Sequence, residues 1–228
     1  MKFRRKHLRT VRRIAFYAAM AAIGWYLACC LALISYRWID PPFTTVQAQR
    51  RIESVFSSEA YSPQQHRLSL ASIPVQVQHA VIAAEDGAFY SHGGIDWEEL
   101  DLVFEGAKKG GRMRGASTLS QQLVKNLFLT THSSIWRKIP EYALTPIAET
   151  VLSKDRILEL YLNEIEWGPG IWGVGAAAEF HYGIAAERLS RNQAARLAAC
   201  IPAPRSRRPK QMDRYSGIIL DRMQSRGW

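Results

Sequence analysis

Cysteine is scarce. Cys29 and Cys30 sit side by side in an apolar N-terminal stretch, and Cys200 stands far from both. With no Cys-x-x-Cys pair and no Cys/His cluster, neither a zinc site nor a disulfide framework is supported. Stretches that alternate apolar and polar residues with period two are few, which speaks for a mainly α class. Positive charge is missing where a pI near 9.8 would lead one to expect it. Residues 1–40 carry a net +7, residues 41–204 a net −2, and residues 205–228 a net +5. The basicity belongs to the two ends, so a nucleic-acid partner finds no support in the body of the chain.

What is present starts with a membrane signal. Residues 1–13 are rich in Lys and Arg, and Ile14 to Tyr36 runs without a charge. As a helix that run is about 35 Å long at 1.5 Å per residue, enough for a hydrocarbon core of about 30 Å. A cleaved signal has a shorter apolar core and a small-residue cleavage site; here Arg37-Trp38-Ile39-Asp40-Pro41-Pro42 follows instead. The basic flank places residues 1–13 in the cytoplasm and residues 40–228 beyond the membrane. The chain therefore divides into a basic tail (1–13), a single transmembrane helix (14–36), a connector (37–72) with a short helix near Val46–Phe56, a main domain (73–204), and a basic, poorly patterned C-terminal tail (205–228).

Within the main domain an apolar run from Val75 to Ala84 delivers two adjacent carboxylates, Glu85 and Asp86. Apolar residues at 77, 80, 81 and 84 have helical spacing, with Gly87 as a stop signal. Glu85 then sits in the last turn among apolar neighbours, where desolvation raises its pKa toward that of a general base. Asp96 to Glu99 resembles a capping box opening a helix to about Ala107. The segment Lys108–Gly115 reads either as a solvated basic loop or as a mobile clamp for a phosphate-bearing substrate. Ser117 is positioned to cap a helix from Thr118 to about Leu129, on which Thr118, Gln122 and Lys125 share one face. A helical region from Ile135 to Leu152 holds Arg137, Lys138 and Glu141, and Pro140 and Pro146 predict a kink or break. Further helices are expected over Lys154–Trp167, Val174–Tyr182 and Arg191–Ala199. Gly168-Pro169-Gly170-Ile171-Trp172-Gly173 fits GxGxxG, but it follows an expected helix and has Pro in second place, so dinucleotide binding is not indicated.

Five segments taken together resemble the motifs of glycosyltransferase family 51. They are Glu85-Asp86-Gly87-Ala88-Phe89-Tyr90-Ser91-His92-Gly93-Gly94, then Gly115-Ala116-Ser117-Thr118 through Asn126, and Arg137-Lys138-Ile139-Pro140-Glu141. The fourth is Lys154-Asp155-Arg156-Ile157 through Asn163, and the fifth combines Gly168–Gly173 with Ala176–Gly183. Two positions depart from the family pattern: Ile184 stands where a Lys is usual, and Pro140 directly precedes Glu141. The resemblance, closest to the monofunctional biosynthetic transglycosylases, implies a lysozyme-like fold with a head and a smaller membrane-dipping jaw that includes residues 97–115. It implies polymerisation of lipid II into β-1,4-linked glycan with inversion and release of polyprenyl diphosphate. Glu85 is then the general base and Glu141 the second catalytic carboxylate, which orients cationic groups or holds a divalent ion, Mg or Mn; no organic cofactor is implied. Substrate-binding positions carried over are Asp86, Phe89, His92, Ser117, Thr118, Gln122, Lys125, Asn126, Arg137 and Lys138.

The same resemblance implies a bacterial inner-membrane protein with its catalytic domain on the periplasmic side. Its partners are lipid II, the growing strand, the membrane, and cell-division or elongation proteins. Simpler roles stay open for several residues: Ser117 as a cap, Lys138–Glu141 as a surface ion pair, His92 as a structural hydrogen-bonding group. Two rivals are a lytic enzyme of lysozyme-like fold, which needs no cationic cradle, and a non-catalytic scaffold, which needs no carboxylate pair. No Ser-x-x-Lys motif occurs, and few residues follow the domain, so a transpeptidase is not expected.

Overall fold

The structure is a computed structural model and describes residues 2–57, 61–108, 110, 117–132 and 134–228. Its first helix, α1 (Lys2–Ser35), is one continuous rod. The stretch Thr10–Ser35 is long and apolar enough to cross a membrane. The basic tail expected over residues 1–13 is thus helical where described, since no Gly, Pro or cap separates it from the apolar run. Phe16, Met20, Ile23 and Leu27 are exposed, as a lipid-facing surface requires, whereas Cys29 and Leu33 are buried. Those two lie one turn apart and join the core, on a helix that packs on α6 (Ile135–Val151). Nearby, Tyr26 Oη donates to the Ala143 carbonyl at 3.4 Å, and the Tyr36 ring stacks on Phe128.

After the Pro41-Pro42 stop, α2 (Thr45–Val55) opens on a capping box between Thr44 and Gln47. The central helices are α3 (Val75–Glu85), α5 (Leu119–Phe128), α6 and α7 (Lys154–Glu164). Val77, Ala80 and Val81 turn α3 into the core, and Leu119, Leu123 and Leu127 do the same for α5. α4 (Trp97–Lys108) lies to one side, with Trp97 and Leu102 exposed. The basic loop expected over Lys108–Gly115 falls mostly outside the described residues.

Three expectations change. α6 runs unbroken through Pro140 and Pro146. Each proline removes one backbone bond, yet α6 is held by packing against α1, α5 and α7, with Leu144, Thr145 and Ala148 fully buried. α7 stops at Glu164, and the helix expected to reach Trp167 gives way to a hairpin of β2 (Glu166–Gly168) and β3 (Ile171–Trp172). With β1 (Gln64–Gln65) parallel to β3, the strands form a three-stranded sheet. Trp167 and Trp172 are both buried there, and Gly170 turns the chain at φ +72°. The Gly168–Gly173 segment is therefore a hairpin leading into α8 (Gly173–Tyr182), not a phosphate loop.

The third change is at the C-terminus. Residues 213–225 form α10 (Asp213–Ser225), which packs on α3 and on α9 (Arg191–Ala198). Ile219 and Met223, one turn apart, are almost fully buried, and the Trp228 ring stacks on His79. The arginines interleaved with these residues obscure the apolar pattern in the sequence.

One glycine fixes the loop after α3. Gly94 has φ +94°, and an added Cβ would lie 2.7 Å from Glu149 Cγ and 2.8 Å from Thr145 Cγ2. Gly94→Ala is expected to destabilise the fold by about 1–3 kcal/mol in denaturant titrations. Gly93→Ala, which meets nothing within 4 Å, should stay within about 0.5 kcal/mol. Equal losses for the two would show that the conformation of Gly94 is not what holds this loop.

Candidate active site

Helix α3 ends at Glu85 because Asp86 leaves helical geometry, with φ −158° and ψ 76°. Its carboxylate is fully engaged. His92 Nε2 lies 2.9 and 3.0 Å from the two oxygens, and Leu119 N donates to Oδ2 at 2.9 Å. Gly94 N donates to His92 Nδ1 at 3.0 Å, so Nδ1 is the acceptor and Nε2 carries the proton toward Asp86. Thr118 Oγ1 donates to the Gly94 carbonyl at 2.5 Å and receives Gln121 N as the cap of α5. Phe89 is fully buried, with Lys154 Nζ 4.6 Å from its ring centroid. This knot ties the α3–α4 loop to the start of α5 and sets the direction in which Glu85 points.

Glu85 itself remains half-buried at the wall of a cavity of about 670 Å³, which it shares with Ser117, Gln122, Asp96, Arg222 and Arg226. Gln122 Nε2 donates to Glu85 Oε2 at 2.9 Å, and Gln122 Oε1 accepts from Tyr161 Oη at 2.9 Å. Tyr161 is buried, so the chain Tyr161–Gln122–Glu85 fixes one carboxylate oxygen from behind. Burial raises the Glu85 pKa, against smaller opposing effects from the Gln122 hydrogen bond and the Lys125 charge. The Tyr161 hydroxyl is pushed well above its usual range by burial and by Glu85, so it stays a donor. A carboxylate desolvated in this way and reachable from a cleft has the properties of a general base.

Beside it lies a cationic group centred on Glu141. The Glu141 carboxylate is almost wholly buried; it accepts Arg137 Nη1 at 2.8 Å and Lys138 Nζ at 2.5 Å. Lys138 Nζ also donates to Ser117 Oγ at 2.9 Å, which links this group to the Glu85 cavity. Burial lowers the Lys125 pKa, and Arg137 and Lys138 repel its charge against the pull of Glu141. Among the described residues Lys125 Nζ has no hydrogen-bond or ion-pair partner, so its donors are left for a ligand.

The candidate residues thus separate. Glu85, Ser117 and Gln122 line the cleft, and Lys138, bonded to Ser117, joins Arg137, Glu141 and Lys125 beside it. Asp86 and Thr118 line it, but their polar atoms are spent on the protein, while Phe89 and His92 face inward. Asn126 is buried, its Nδ2 donating to the Gln122 carbonyl at 2.8 Å and its own carbonyl receiving Thr45 Oγ1. Thr118, not Ser117, caps α5, which frees the Ser117 hydroxyl for Lys138. Both Glu141 oxygens are taken by cations, and no group of three His, Cys, Asp or Glu among the described residues comes together as a metal site. Arg222 and Arg226 at the cavity were missed, although their one-turn spacing in step with Ile219 and Met223 was a readable signal.

A mainly α domain thus carries a desolvated carboxylate in a cleft with a cationic cluster adjoining it. The chain belongs to the transglycosylase family, whose model matches residues 51–224. It is 43% identical over 181 residues to a biosynthetic peptidoglycan transglycosylase of Pseudomonas aeruginosa, covering 79% of this chain and 78% of that protein. The protein of the same name from Pseudomonas entomophila is 43% identical over 184 residues, 80% of this chain and 78% of its own length. For that of Pseudomonas fluorescens the figures are 40% over 194 residues, 85% and 81%.

Proposed function

We propose that this transglycosylase builds peptidoglycan, joining lipid II units into β-1,4-linked glycan with release of polyprenyl diphosphate. The observation that carries the reading is the pairing of a desolvated Glu85, held by Gln122, with Lys125, Arg137 and Lys138 across Ser117. The acceptor 4-hydroxyl is a poor nucleophile until a base takes its proton, and Glu85 is the group at hand. As the bond to the donor anomeric carbon forms, pyrophosphate leaves with growing negative charge. Cations already fixed in place stabilise that charge without reorganising. Glu141 acts through Arg137 and Lys138 by holding them, and so is a positioning residue. Direct attack on an α-linked donor inverts the anomeric centre without a covalent glycosyl-enzyme.

The apolar helix gives the reaction its place. With the basic flank in the cytoplasm, the domain faces the periplasm across a bacterial inner membrane, where a lipid-linked donor is confined to the same plane. Cell-division or elongation proteins are partners consistent with that address. The test is incubation of the full-length protein with purified lipid II in liposomes, run beside intact sacculi. Glycan strands growing from lipid II with no fragments from the sacculi are expected. Fragments without growth would instead make this a lytic enzyme.

A further inference from the structure

The cationic residues of the cleft fall into two groups, and the pyrophosphate accounts for only one. Arg222 on α10 and Arg226 at its C-cap lie one turn apart, and both line the Glu85 cavity. Arg222 Nη1 donates to the Ala83 carbonyl at 3.0 Å, which turns its guanidinium beside the end of α3. The Arg226 guanidinium lies over Gly87; a Cβ there would stand 2.3 Å from its Nη2. Glycine at 87 thus serves as a seat for Arg226, since Asp86 already ends the helix. Among the described residues neither arginine is ion-paired with a carboxylate; Arg226 Nη1 donates to the Arg222 carbonyl at 3.4 Å and its guanidinium lies 5.7 Å from the Trp228 ring centroid, which leaves donors on both. Their charge faces Glu85 and Asp86 on the α3 side, and Asp96 and Glu99 brought to the same cavity by α4.

Two guanidiniums that share this cavity with four carboxylates yet are ion-paired with none of them make an anion subsite. Which anion follows from where the walls stand. The anchor packs on α6, the helix of Arg137 and Lys138, whereas α10 packs on α3 and α9. A pyrophosphate is tied to the membrane by its lipid and is met on the α6 wall. The anion that reaches α10 is one carried by the sugar. We infer that Arg222 and Arg226 bind a carboxylate of the peptide borne by the muramyl sugar, with Asp96 and Glu99 available to an amine of that peptide. This rests on the proposed lipid II reaction and adds a peptide subsite to it.

The experiment uses the full-length protein in liposomes with two substrates: lipid II with free peptide carboxylates, and lipid II with those carboxylates converted to carboxamides. Arg226→Gln is the main variant because Arg226 makes no tertiary hydrogen bond that folding requires; Arg222→Gln is secondary, since it gives up the bond to Ala83. On the carboxylate substrate Arg226→Gln should raise KM about tenfold with little change in kcat, the scale of a charge-assisted hydrogen bond. On the carboxamide substrate wild type should show the raised KM already, and the substitution should add less than about twofold. Arg226→Lys should recover part of the loss. An equal penalty on both substrates would overturn the inference, pointing to pyrophosphate or to packing. A wild type that polymerises neither substrate would overturn the proposed function, and this subsite with it.

Discussion

Glu85→Gln is expected to yield a folded protein that binds lipid II but turns it over about 10²–10⁴-fold more slowly, the usual cost of losing a general base. The glutamine keeps the shape of the side chain and, through its carbonyl, the bond from Gln122. It cannot accept the proton of the acceptor hydroxyl. Because burial raises the Glu85 pKa, the wild-type rate should fall on acidification at a pH above the ordinary carboxylate range. The variant's residual activity should lack that limb. Stability carries the same signature with a definite sign. The folded state binds the Glu85 proton more tightly than the unfolded state, so stability from this group is present at low pH and is lost as pH rises through the raised pKa. Glu85→Gln should therefore gain on wild type in melting temperature at neutral pH, and the gain should shrink toward acid. Turnover near the wild-type level would remove Glu85 from the role of base.

The second large effect is expected at the other side of Ser117. Lys125→Ala and Arg137→Ala should each lower polymerisation by at least about two orders of magnitude, the scale of a lost preorganised electrostatic contact. The fall should lie mainly in kcat, because the leaving group's charge grows in the transition state. Lys125 is the cleaner probe: it has no hydrogen-bond partner among the described residues, so its removal orphans nothing. Arg137 also donates Nε to the His132 carbonyl at 2.8 Å and Nη1 to Glu141. Its loss leaves a buried carboxylate with Lys138 alone. Circular dichroism should stay near wild type for Lys125→Ala. Either variant polymerising at close to the normal rate would make that residue peripheral.

Most of the helices were legible because their apolar residues recur with helical spacing and their caps are strong. Glu85 was legible for the same reason: an apolar run that ends in a carboxylate leaves it desolvated. The β2–β3 hairpin was not, because Glu166 and Trp167 extend the helical pattern of α7 and only burial of Trp167 and Trp172 decides against it. α10 was hidden by its arginines, which made a core helix look like a solvated tail. Local spacing also could not separate Ser117 from Thr118 as the cap. That choice depends on Gly94, a residue 24 positions away that takes the Thr118 hydroxyl. Asp86, His92 and Asn126, carried over as substrate-binding positions, make hydrogen bonds within the protein that spacing alone did not reveal.

The seating of α1 on α6 ties the helix of the cationic cluster directly to the apolar rod. From Tyr26, which bonds α6 at Ala143, to the end of α1 at Ser35 is about 14 Å along a helix. With α1 across a bilayer, the middle of α6 therefore lies below the level at which the anchor emerges. Arg137 and Lys138 sit on that same helix, one to two turns before Ala143, and Glu141 about half a turn before it. Drawing a polyprenyl chain out of hydrocarbon costs about 0.8 kcal/mol for every methylene exposed to water. An enzyme standing on a loose tether would bear that cost at each addition. On the proposed reaction, an anchor seated on the helix of Arg137 and Lys138 keeps those cations beside the solvent that holds the lipid of donor and product.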